Sequence, residues 1–160
     1  MYRYKFPLKA MAGTTGIPLD TLKTWRQVSN RLNHCKLVEL AHLRLKDDPA
    51  AQSDLNQDIS IQDYASHLGF DNPFKTGAPI PPTTLRQWDK DGDHGRIKMF
   101  LLGYQTLLLK SALGKDWDIF KFDCALRDMG LVRSQVVRLI RADLGAAKKL
   151  LSHLPIPESA

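Results

Sequence analysis

Cysteine is scarce in this chain: Cys35 and Cys124 stand far apart and outside any paired spacing. Such a pair builds neither a disulfide framework nor a zinc site, and a reducing, cytoplasmic setting is the expectation. Long hydrophobic runs are missing too. The most apolar stretch, Met99 to Leu113, is shorter than a bilayer span and is interrupted by Gly103, Gln105, Thr106, Lys110 and Ser111. The opening MYRYKFPLKAM has no continuous apolar core for a signal peptide, so no membrane partner is expected.

The usual marks of catalysis are equally sparse. There is no Gly-rich phosphate loop, nucleophile elbow or paired-His metal motif. Asp47, Asp48, Asp54 and Asp58 have no apolar surroundings in the sequence to raise a pKa, which makes them poor general acids. His34, Cys35 and His42 come nearest to a ligand cluster, but His34 and Cys35 are adjacent, diverge on a helix, and lack a fourth ligand at a usual spacing. Asp89, Asp91 and Asp93 imitate the start of a calcium loop. Its sharp-turn glycine would have to stand at His94, where Gly95 is one place late, and its bidentate glutamate at Phe100. No enzyme activity, metal or cofactor is therefore expected.

Charge, by contrast, is plentiful and unevenly placed. The formal net charge is +6 over 160 residues. Residues 1–46 carry nine Lys/Arg against two Asp/Glu, residues 47–95 three against nine, and residues 96–160 eleven against six. Two basic ends thus flank an acidic middle, an arrangement that attracts a phosphate backbone to the ends and repels it from the centre. At 43% hydrophobic and 25% charged residues the chain has the composition of a globular protein with one core or two small ones.

Residues 8–27, LKAMAGTTGIPLDTLKTWRQ, have the spacing of two short helices across a tight turn. Ala12 supplies a small residue at the crossing, and Gly16 a residue free to adopt the left-handed turn conformation. Met11, Ile17, Leu22 and Trp25 fall on the facing sides, and Pro18 suits the first turn of the second helix. On these residues the stretch resembles the bacterial and phage helix-turn-helix regulators, while an αα-corner without nucleic acid satisfies the same spacing. The resemblance implies double-stranded DNA as the partner, with Lys23, Thr24, Gln27 and Arg31 on the outer face of the second helix as its contacts.

The unit recurs. Ile17-Pro18-x-x-Thr21-Leu22-Lys23-x-Trp25 returns as Ile80-Pro81-x-x-Thr84-Leu85-Arg86-x-Trp88, and Ala65 and Gly69 repeat the spacing of Ala12 and Gly16. Ten extra residues within FDNPFKTGAP replace the tight turn by a Pro/Gly-rich loop. With acidic surroundings, this copy is assigned to structure or to a protein partner meeting the loop from Phe70 to Pro82. A third copy spans residues 122–141, with Leu126 and Gly130 at the template positions. Ala125, Leu126, Met129, Leu131, Val136 and Leu139 are expected to face in. Arg133, Ser134, Gln135, Arg138 and Arg141 are expected to face out, where Arg and Gln suit guanine and adenine edges. An ordinary amphipathic surface helix fits the same pattern.

Between these units, residues 26–46 continue in helical register as one helix or two abutting ones, and residues 47–58, with Pro49, are expected to form a linker and module boundary. Ser60 to Asp63 has the look of a capped helix start, and Arg96 to Leu113 of an apolar helix ended by Gly114. Residues 142–154 continue as helix, available to pack the domain or a second copy in a homodimer, and Pro155 and Pro157 end it. Trp25, Trp88 and Trp117 are assigned to the core. The expectation is an all-α protein of about seven to nine helices with helix-turn-helix-like units at both ends and a modified copy between. Three functions fit it: a sequence-specific DNA-binding transcriptional regulator, a helical subunit of a transposition, packaging or CRISPR-type nucleoprotein assembly, and a protein-binding adaptor.

Overall fold

The computed structural model describes residues 1–113 and 119–153, and the side chains of 119–121 are not among those described. It is all-α, with ten α-helices and no strand among the described residues. Helix α1 spans Leu8–Thr15, α2 Leu19–Gln27, α3 Leu32–Asp47, α4 Pro49–Asn56 and α5 Ile61–Leu68. Then follow α6 Pro82–Lys90, α7 His94–Leu113, α8 Ile119–Asp128, α9 Arg133–Ala142 and α10 Leu144–Ser152.

The turns arise where the residue types call for them. Gly16 lies at φ +72°, closing α1 with its N–H donated to the Ala12 carbonyl. Such a conformation costs an L-residue roughly 1–2 kcal/mol. Pro18 occupies the N-cap of α2, one position before the expected place inside its first turn. Residues 26–46 divide at Val28, which is extended, and a 3-10 turn over Ser29–Arg31 leads into α3. Gly69 and Gly130, the two other template glycines, also have positive φ.

Residues 47–58 do not form a linker loop. Asp48 accepts the Ala51 N–H at an N-cap, and Pro49 sits where a helix start needs no amide donor, so the segment winds into α4 and buries Ala51. Ser60 caps α5 by accepting the Asp63 N–H, as its sequence indicates. Helix α7 begins at His94, two residues earlier than expected, because the Asp93 carboxylate accepts the Arg96 N–H. At the other end of the chain, Asp143 is extended and caps a separate α10, so residues 142–154 are not one continuation of α9. Gly114, Trp117, Leu154, Pro155 and Pro157 lie outside the described residues.

Helices α3 and α7 form the central pair. Each follows a copy of the repeated Ile-Pro motif, and they approach closely where Gly103 faces the Leu37 carbonyl. At one end of this pair the two repeats meet through their tryptophans. The Trp25 and Trp88 rings lie 6.5 Å apart and share His34 and Phe100 as edge and tilted neighbours, with the Arg96 guanidinium over both indoles. Met11, Ile17 and Leu22 are buried in the first unit, as Ile80 and Leu85 are in the second. One buried cluster runs from Met11 to Leu151 and draws on all three units.

Candidate nucleic-acid interface

Helix α2 turns Leu22 and Trp25 into the core, which leaves Lys23, Thr24 and Gln27 exposed on its other side. The Lys23 and Gln27 side chains meet no partner among the described residues, while the Thr24 hydroxyl donates to the Asp20 carbonyl 2.9 Å away. Arg31 is half-buried in the 3-10 turn that follows. All four expected contacts of the first unit therefore lie along α2 and the turn just beyond its C-terminus. Arg26, on the last turn of α2 and half-buried, adds a cation outside the expected set.

The third unit is arranged otherwise. Helix α9 buries Val136, Val137 and Ile140, so its inward face is rotated from the expected one. Met129 is 40% exposed and Leu139 only half-buried, contrary to their assignment inward, whereas Ala125 and Leu126 are buried as expected and Leu131 is partly so. Arg133 is turned inward as well. Its fork grips both carboxylate oxygens of Asp123, and a third N–H reaches Asp48 Oδ2 at 2.8 Å. Asp48 in turn accepts from Arg44 Nε at 3.1 Å, and Arg44 donates to Gln105 Oε1 at 2.8 Å and Thr106 Oγ1 at 3.2 Å. The outcome is a chain of alternating charges joining α8 and α9 to α3 and α7.

Burial pushes the Asp123 carboxyl up to about 6; Arg44 and Arg127 oppose the shift and Asp48 adds to it. The guanidinium fork on both oxygens favours the ionised form, and the group is a carboxylate at neutral pH on either count.

Of the remaining expected contacts of α9, Gln135, Arg138 and Arg141 are also engaged within the chain. Ser134 is half-buried, and the Gln135 side chain accepts the Val132 N–H at 2.9 Å, bracing the helix start. Arg138 is exposed but leans on the α5 end, 3.7 Å from Asp71 and 3.4 Å from the Ser66 carbonyl. Arg141 donates to the Lys75 carbonyl and lies 5.2 Å from the Phe70 ring centroid. The loop from Phe70 to Pro82, read as a protein contact, is itself seated inward through buried Phe70, Pro73, Thr76 and Ile80, and Phe70 stacks on Tyr104.

Ahead of α1, residues 1–7 run along α2 and α3 outside any helix or strand and bend at Lys5 and Phe6, with Tyr2, Tyr4 and Phe6 half-buried and Arg3 and Lys5 exposed. The Tyr2 N–H donates to the Arg26 carbonyl at the end of α2, and the Tyr4 hydroxyl reaches the Leu22 carbonyl at 2.9 Å and Cys35 Sγ at 3.2 Å. Further along, the Lys5 N–H donates to Glu39 Oε2, and Phe6 meets His42 edge-on. The alternation of aromatic and basic residues in Tyr2-Arg3-Tyr4-Lys5-Phe6 was the available signal, since a period of two marks an extended segment with one wet side.

His34, Cys35 and His42 are buried side chains rather than a converging set. Burial lowers the His34 imidazole to about 4, with Arg31 and Arg96 adding to the effect, and Nδ1 of His42 lies 2.5 Å from the Thr14 hydroxyl. No helix among the described residues is long and apolar enough to cross a membrane. No protein-family model, curated protein or solved structure matches the chain.

Proposed function

We propose that this chain is a non-enzymatic double-stranded DNA-binding protein, a transcriptional regulator in kind, and that the first unit holds the reading helix. The observation that carries the reading is the contrast between two helices that look alike in sequence. Helix α2 offers Lys23, Thr24 and Gln27 to solvent with the Lys23 and Gln27 heads unengaged among the described residues, and Arg26 and Arg31 follow at its end. On α9, every Arg already has a partner within the chain. A side chain already bonded inside the protein must give up that bond, or keep the direction it imposes, when it contacts a base, so an unengaged polar face is the cheaper reader.

In this reading α2 enters the major groove, Gln27 and Lys23 meet base edges, and Arg26 and Arg31 hold phosphates. Selection of bound fragments from a random duplex pool, followed by gel retardation against competitor, tests it. A preferred sequence should emerge, and Gln27→Ala should lose about 1–3 kcal/mol on that sequence and relax one base position. Retention of every duplex equally would mark the chain as a backbone-binding subunit of a nucleoprotein assembly. No retention at low salt would leave the protein-binding adaptor.

A further inference from the structure

A second basic feature begins where α2 ends. Lys5 on the N-terminal arm, Lys36 on α3 and Lys110 near the end of α7 surround one surface depression of about 280 Å³, whose floor is Phe6, Leu40, Leu43 and Leu107. All three lysines are exposed and form no ion pair among the described residues. The one acidic residue in the depression is Glu39, 5% exposed and bonded through Oε2 to the Lys5 backbone N–H. Three cations against one carboxylate leave a local excess of positive charge. Tyr2 joins the depression to α2, because it lines the one and donates its N–H to the last turn of the other.

We infer that this lysine-rimmed depression is a phosphate-backbone track that continues the interface of α2, so that a duplex seated on α2 has its flanking backbone held by Lys5, Lys36 and Lys110. The inference rests on the proposed DNA-binding reading and extends it. Three features favour a polyanion over a single small anion. The lysines come from three separate elements, their heads are exposed rather than convergent on a buried point, and the tyrosines pin the arm so that little chain entropy opposes the contact.

The test uses the full chain on a duplex carrying the selected sequence and on one of random sequence, with affinity measured across salt concentration. Each lost phosphate contact lowers the log-log salt slope by about 0.9, so Lys5→Gln/Lys36→Gln/Lys110→Gln should lower it by about 2.7 and weaken both duplexes by a similar factor. A matched triple of exposed lysines elsewhere, Lys75→Gln/Lys148→Gln/Lys149→Gln, makes the same change in net charge and should leave the slope near that of the wild type. Equal effects of the two triples would reduce the track to net charge and overturn it, as would an unchanged slope in the first triple. A wild-type chain that binds no duplex at low salt would overturn the DNA-binding reading as well, which distinguishes that failure from failure of the track alone. Unaltered melting of the first triple is expected, since none of the three side chains supports the fold.

Discussion

Replacing Gly103 by alanine sets two physical effects of opposite sign against each other. Alanine is the better helix former by about 1 kcal/mol, so on propensity alone the substitution in the middle of α7 should stabilise. The packing of α7 on α3 forbids it. A Cβ at Gly103 would lie 2.2 Å from the Leu37 carbonyl oxygen and 3.0 Å from its carbon. An unstrained carbon–oxygen contact is about 3.3 Å, so relief requires a separation of about 1 Å. Neither side can give locally, because the clash is with the backbone of a buried helix. The two helices must part, and a gap of that order forfeits between a quarter and a half of each dispersion contact between Leu37, Val38, Leu101, Leu102 and their neighbours. Overpacking of this kind costs about 1–3 kcal/mol and sometimes more, and the helix gain offsets only part of it.

The net expectation is a loss of up to about 2 kcal/mol, read as a lower urea midpoint at unchanged m and a melting temperature lower by up to about 8 °C. Gly95→Ala supplies the control in the same helix, because a Cβ there meets nothing within 4 Å. It should match the wild type or exceed it by up to about 1 kcal/mol. A Gly103→Ala protein as stable as Gly95→Ala would refute the close approach of α3 and α7.

Two other outcomes follow from the same structure. Arg133→Ala strips the partner from Asp123 and leaves Asp48 with Arg44 alone, and should destabilise by about 2–4 kcal/mol, whereas Arg138→Ala should stay within about 0.5 kcal/mol; equal chemical-denaturation curves would show that the ion chain does not hold α9. His34 stays neutral in the fold down to about 4 but protonates in the unfolded chain near 6.5, so its contribution is complete above pH 6.5 and is lost as pH falls toward 4. That shift corresponds to up to about 3 kcal/mol. His34→Phe should flatten this part of the stability profile, and a variant with the wild-type slope between pH 4 and 6.5 would contradict the burial of a neutral imidazole.

Much of the local structure was legible in the residues themselves. Gly16, Gly69 and Gly130 take positive φ where the template placed its turns, Ser60 caps α5, and the repeated Ile-Pro-x-x-Thr-Leu-x-x-Trp buries the same positions twice. These outcomes depend on partners within a few residues: a cap, a turn, one face of a two-turn helix. Residues 47–58 read as a linker by their polarity but fold as α4, because Asp48-Pro49 is a helix start and a helix that buries little more than Ala51 needs few apolar residues.

The all-helical class, the turn positions and the inward face of α2 and α6 were thus determined by the sequence alone, since they express short-range backbone preferences and helical periodicity. Only the tertiary structure decided which cations remain available to a partner. Arg133 and Lys23 are alike in sequence as exposed-looking charges on amphipathic helices, yet Arg133 finds Asp48 from 85 positions away, and Lys23 finds nothing among the described residues. The grouping of Lys5, Lys36 and Lys110 around one depression has the same origin. Pairing between distant charges depends on how whole helices pack, and packing is set by apolar surfaces that carry no information about the charges riding on their opposite faces.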